Sequence, residues 1–206
     1  MIRQPVNQAR QHGLAAVEFA LLLPMLLLLL FGMIDAGRAL QANIIMTNIG
    51  REGANLVARG STQLETGSQD IIYALMASAP PLNVNQQGMV YITRVMGVVK
   101  NGIYSSVVLD QYRWDDDERG LGFGASGYKP ASQVYNCSTW SSAGKCTAFS
   151  SSSRPAVTIM SGKLDDGEVV HVVETFYQYD MLLTSAATGA LNLPTIGPDL
   201  YSMTVF

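Results

Sequence analysis

Apolar residues run almost unbroken from Leu14 to Ile34, and then the pattern changes period. The run holds one charge, Glu18, and is long enough to cross a bilayer as a helix. After Asp35 the apolar residues thin to a helical spacing. Ile45, Ile49, Gly53 and Leu56 recur, with Met46 and Val57 beside them, while Thr47, Arg51, Asn55 and Arg59 line another face. No proline interrupts residues 36–59, so the pattern predicts one helix from Leu14 to Arg59, roughly 69 Å long at 1.5 Å per residue. Its second half is expected to lie on a globular domain. Gly60-Ser61 ends it, and a short helix is predicted over Gln69–Ser78, stopped by Pro80-Pro81.

The period then shortens to that of strands. Met89–Val99 and Ile103–Trp114 are rich in β-formers and flank Lys100-Asn101-Gly102, a hairpin signal. Asp165-Asp166-Gly167 reads as a turn after Pro155–Gly162, ahead of a strand over Glu168–Tyr179, and Leu200–Phe206 reads as a last strand. Strands joined by turns predict an antiparallel sheet with the long helix on one face, an α+β fold. Residues 115–154 break the pattern with an acidic run, clustered glycines and serines, and read as a floppy surface insertion. The expected organisation is a leader over 1–13, a membrane helix over 14–34, a helix extension over 35–60 and an external domain over 61–206.

Charge orients this arrangement. The leader carries Arg3 and Arg10 and no acid, which keeps it cytoplasmic and sends the rest outside. The net charge of −3 therefore hides a basic leader and an acidic external part, which argues against nucleic-acid binding. A cleaved secretory signal fits less well, because the apolar run is too long and no good small-x-small site follows it. A plain uncleaved signal anchor remains the alternative. Pro24 and Gly32 interrupt the run, and membrane helices tolerate both.

Glu18 is the sharpest chemical feature. An unpaired carboxylate in hydrocarbon costs about 2.5 kcal/mol or more, so an intramembrane acid marks function unless it stays wet at the interface. Gln11-His12-Gly13-Leu14-Ala15-Ala16-Val17-Glu18-Phe19-Ala20-Leu21-Leu22-Leu23-Pro24, then Leu30–Leu40 and Arg51-Glu52-Gly53-Ala54-Asn55, resemble TadE-like pseudopilins of the Tad (Flp, type IVb) pilus. The resemblance covers roughly residues 11–60. It implies cleavage between Gly13 and Leu14 by a prepilin peptidase and a new, often methylated amino terminus at Leu14. It also implies that Glu18 pairs with the amino terminus of a neighbouring subunit. Other pilin and pseudopilin subunits, the Tad inner-membrane assembly machinery and the membrane are the implied partners. The inner membrane, with a periplasmic or extracellular domain, is the implied location.

The external part offers little catalytic chemistry. Cys137 and Cys146, an even pair at short spacing outside the cytoplasm, predict a disulfide across the insertion. His171 sits between valines in a strand. The glycines of Gly122–Gly127 match a dinucleotide spacing, but Tyr128-Lys129-Pro130 follows where a helix should open, and a flexible loop is expected. The acidic runs at Asp115–Glu118 and Asp165–Glu168 read as solvated turns and lack a full calcium-loop pattern. No cofactor, no metal and no enzymatic activity is expected. The rivals to a pilus role are a permanent single-span protein with an external binding domain and a membrane-tethered enzyme.

Overall fold

The computed structural model describes residues 9–59, 72–76, 79–116, 120–124, 126–182 and 199–206. The chain divides into two compact units, Met1–Leu40 with Asp180–Gly197, and Gln41–Tyr179 with Pro198–Phe206. Helix α1 (Ala9–Arg59) supplies residues to both.

In the first unit every residue of α1 from Leu14 to Ile34 is exposed, and Pro24 is accommodated inside the helix. The contrast comes one residue later. Asp35 is buried, and its carboxylate accepts the Leu182 N–H at 2.9 Å. A charged side chain is rarely buried without such a partner.

The second unit is built on a five-stranded antiparallel sheet, in the order β5 (Ala156–Val157), β2 (Ile103–Arg113), β1 (Gly88–Lys100), β6 (Val169–Gln178), β7 (Asp199–Val205). The predicted hairpin is present. Asn101 and Gly102 both take positive φ, 53° and 77°, the two-residue turn whose twist matches that of the strands it joins. The strands predicted at Glu168–Tyr179 and Leu200–Phe206 are β6 and β7, each within a residue or two of its expected ends. Gly167 (φ 80°) closes the turn before β6.

One face of the sheet carries α1 and α2 (72–76), the described part of the predicted Gln69–Ser78 helix; residues 69–71 and 77–78 lie outside the described residues. The buried stripe of α1 is Ala42, Met46, Ile49, Gly50, Gly53 and Ala54. This is rotated from the expected stripe: Ile45 is half-buried and Leu56 exposed. The smaller residues win because the helix backbone approaches closely. A Cβ on Gly53 would lie 3.0 Å from Leu75 Cδ1 and 3.4 Å from Val173 Cγ1. A Cβ on Gly50 would lie 3.2 Å from Thr204 Oγ1. Ile72, Val90, Ile92, Trp114 and Val173 fill the core there.

The other face is covered by residues 126–146, and here the sequence reading is corrected. The insertion is a roof rather than a floppy decoration. It opens with a small ribbon, β3 (Asp115–Asp116) against β4 (Leu121–Gly122). It then crosses the sheet, with Trp140 near Tyr91 and Val134 against the cluster of Val95, Leu164 and Val172. The glycine-rich stretch is held too. Gly127 N–H donates to Gln86 O of α3 (Val84–Gln87) at 3.1 Å, and Ser126 is buried.

The far end of the insertion seals an edge. Arg113 N–H donates to Gly144 O and Cys146 N–H to Gln111 O, at 2.9 and 2.8 Å, while Val108 N–H donates to Pro155 O at 3.0 Å. The outer side of β2 is thus paired along both halves. Bare edges invite association with other chains, and a covering loop removes the invitation.

Candidate functional site

The residues expected to carry function fall at two places, each within one unit. Gly13 and Leu14 lie inside α1, which begins at Ala9. The Gly13–Leu14 peptide is therefore helical, where the sequence pattern placed the helix start at Leu14. Leu14 and Glu18 are both exposed, on a helix whose neighbouring large apolar side chains are exposed as well.

Cys137 and Cys146 form the expected disulfide, with their Cα atoms 6.0 Å apart. Both are buried. The bridge joins the roof to the segment paired with β2, because Cys146 is itself the residue bonded to Gln111 O. Trp140 Nε1–H donates to Cys137 O at 3.2 Å and locks the intervening loop over the ring of Tyr91.

Sequence reasoning missed the polar cluster beneath the roof. Glu174 of β6 has no exposed surface. Ser132 Oγ–H donates to its Oε2. Gln133 N–H and Tyr201 Oη–H donate to Oε1 at 2.8 and 3.1 Å. Ser132 in turn accepts from Gln111 Nε2 at 3.0 Å, and the same amide donates to Thr93 Oγ1 and Tyr135 O. Burial pushes Glu174 above the usual carboxylate range, and the bonds from Ser132, Gln133 and Tyr201 offset part of that push. The available signal was an acid flanked by Val172, Val173, Thr175 and Phe176, an unusual place for a charge in a strand.

Aromatic and basic groups complete the cluster. Burial pushes Tyr91 up to about 12, and its hydroxyl donates to Pro130 O at 2.7 Å. Arg113 lies 3.4 Å from the centroid of Phe123 and 4.7 Å from that of Trp140, and pairs with Asp115 through Nη2 at 2.7 Å. Asp115 is buried, so the first member of the acidic run is an ion-pair partner and not a solvated turn. Asp165, Asp166 and Glu168 are exposed as expected. His171 stacks on Phe206, and burial, followed by the nearby Arg94, lowers its pKa. Among the described residues no three acidic, histidine or cysteine side chains gather as a metal site would require.

Among the described residues one exposed helix is long and apolar enough to cross a membrane; with the antiparallel sheet domain it makes an α+β chain, consistent with a single-pass membrane protein. Residues 13–55 match the family model described as TadE-like protein. The amino-terminal segment is therefore similar to that of TadE-like proteins. Neither the curated proteins nor the solved structures contain a match to the chain.

Proposed function

We propose that the chain is the precursor of a minor pilin, or pseudopilin, acting in the assembly or structure of a Tad/Flp-type pilus. The TadE-like match over residues 13–55 carries the reading. A prepilin peptidase cuts after Gly13, where the absence of a side chain lets the backbone approach the enzyme. Because that peptide lies in α1, cutting requires local unwinding of the helix end. Leu14 becomes the new amino terminus.

The exposed apolar surface of residues 14–34 then packs among the helices of other pilin and pseudopilin subunits, delivered by the Tad inner-membrane machinery. Glu18 of one subunit pairs with the ammonium of Leu14 on a neighbour. In a low-dielectric bundle, leaving either charge unpaired is penalised by several kcal/mol, about 3–5. The leader stays cytoplasmic and the sheet domain is periplasmic until assembly. Its role is structural rather than enzymatic.

The helical continuity of α1 across Gly13 and Leu14 favours a second reading, a permanent single-span anchor with an external binding domain. The mass of the mature amino-terminal peptide from the native host separates the two. A peptide beginning at Leu14 supports processing; one beginning at Met1 or Ile2 supports the anchor.

A further inference from the structure

The two sides of the sheet are finished differently. The outer side of β2 is covered by residues 144–146 and by β5, whereas β7 has a strand on one side alone among the described residues. The backbones of Phe206 and His171 exchange hydrogen bonds, at 3.1 Å from the Phe206 N–H and 2.9 Å from the His171 N–H. Inward and outward residues alternate along an antiparallel ladder, so Thr204, Ser202 and Leu200 also turn N–H and C=O towards β6. Val205, Met203 and Tyr201 turn theirs away. Among the described residues no hydrogen bond reaches these outward groups.

Natural edge strands carry some device against strand addition: shortness, a lysine, a proline, a bulge or a covering loop. Among the described residues β7 has none of these. It is seven residues long, holds no lysine or proline, and follows β6 without a shift of register. Its single charge, Asp199, sits at one end and accepts the Tyr128 hydroxyl. Tyr201 and Met203 stand 40% and 43% exposed along the strand.

We propose that the outer edge of β7 is a docking site for an extended segment of a different chain, which joins the sheet as an added strand. The bare backbone groups specify the occupant. Only another backbone in β conformation offers the matching row of donors and acceptors. The side chains refine the choice. Tyr201, Met203 and Val205 share a face with Phe176, Glu174 and Val172, and cross-strand pairing beside them favours apolar or aromatic residues. On the other face the added strand lies beside Ser202 and Thr204, next to the close approach of Gly50, and small or β-branched residues suit it there.

A second copy of this chain fits poorly. The Met46 carbonyl accepts from Thr175, and Gly53 lies by Val173, so this part of α1 runs against β6 and in the same direction as β7. Two β7 edges related by a two-fold axis can share a ladder only as an antiparallel pair, and the two chains then enter the sheet domains at opposite ends. Copies held in one bilayer enter from the same side. The choice of a different chain therefore rests on the single-span reading, while the docking edge itself does not.

Amide hydrogen exchange of the full chain, read residue by residue, tests it in two states: purified in detergent as single copies, and in membranes of the native host. In the purified chain the Ser202 and Thr204 amides should be protected, and those of Tyr201, Met203 and Val205 should exchange freely. In the membranes the outward amides should slow by about tenfold or more, the mark of added backbone bonds. Met203→Pro removes no bond to β6 and is tolerated at an edge, but it blocks the ladder. It should keep Ser202 and Thr204 protected and return Tyr201 and Val205 to free exchange in the membranes. Outward amides already protected in the dilute purified chain, or equally free in both states, would overturn the proposal. So would a folded Met203→Pro chain whose Tyr201 and Val205 stay protected in the membranes; if that variant fails to fold, the wild-type comparison decides alone. Protection that appears on concentrating the purified chain would mark self-pairing and overturn the choice of partner. Release of the chain from membranes by alkaline carbonate would sink the single-span reading, and with it the exclusion of a second copy, separately from the exchange result.

Discussion

Ser132 and Glu174, separated by 42 residues in sequence, are joined side chain to side chain in the buried interior of the sheet domain. The bond ties an irregular segment to a central strand. It also places the Ser132 oxygen where Gln111 Nε2 and the Val134 and Tyr135 amides can donate to it.

Ser132→Ala therefore removes a donor from a buried carboxylate and an acceptor from Gln111 at once. A loss of about 2–3 kcal/mol in unfolding free energy is expected, larger than for an ordinary hydrogen bond because buried groups are left unmatched. Ser132→Thr, which keeps the hydroxyl, should lose less. Urea denaturation of the two variants in parallel checks the difference.

Gly97 has no room for a side chain. A Cβ there would strike Asp165 O and lie 2.7 Å from Leu164 Cβ. Gly97→Ala must displace the turn before β6 and should cost about 2–3 kcal/mol. Gly102→Ala meets nothing in space but is strained by its positive φ, and should cost about 1 kcal/mol. Thermal unfolding of both should place Gly97→Ala lower; the reverse order would contradict the packing described.

Reducing the Cys137–Cys146 bridge, or replacing both with Ser, should cost about 2–3 kcal/mol for a loop of this length. Because Cys146 also bonds β2, the loosening should reach the Gln111 and Arg113 edge as well as residues 138–145. Limited proteolysis, with fragment ends mapped by mass spectrometry, checks where the chain opens. Two reactive thiols in native protein would remove the basis of the prediction.

His171 responds to acid in the opposite sense to Glu174. Its native pKa is lowered, so its contribution to stability is present above its ordinary value near 6.5 and is lost as pH falls below it. His171→Asn should flatten the fall in melting temperature between about pH 6.5 and 5, where an unperturbed imidazole takes up its proton. An unchanged profile would show that another group controls that range.

On the pilus reading, Glu18→Ala should leave membrane insertion intact, since it makes the run more apolar. Cleavage after Gly13 should persist and assembly should fail or slow. Glu18→Gln should behave the same way, because it keeps the shape and loses the charge. Pilus yield and incorporation of the variant are the readouts, and normal pili with normal incorporation of Glu18→Ala would refute the pairing.

The parts of the fold that were legible in sequence are those set by local chemistry. Asn101-Gly102 dictates its turn through backbone sterics, and β6 and β7 follow turn residues and β-formers. The α1 stripe was read one position off because hydrophobicity pointed to Ile45 and Leu56, whereas close packing on the sheet selects Gly50, Gly53 and Ala54. The roof was illegible for a different reason. Residues 126–146 have almost no period, and their order comes from bonds to Gln111, Tyr91 and Glu174, far away in sequence. The cysteine pair was legible from its spacing and expected compartment, whereas Gly13 and Glu18 were singled out by resemblance alone. Glu174 was not, because strand alternation alone does not tell a face covered by a loop from one open to water.

The sealed outer side of β2 limits what this domain can become. A sheet grows by adding strands at its edges; among the described residues β2 is already paired to residues 144–146 and 155–157, the edge strand β5 beyond it is two residues long, and β7 is the one long strand with a partner on a single side. The described sheet thus has a valence of one. Strand addition at β7 can join it to a single partner but cannot run on in both directions into a ribbon. On the single-span reading, which crowds copies of the chain at a membrane, the covered outer side of β2 would work as a chain terminator.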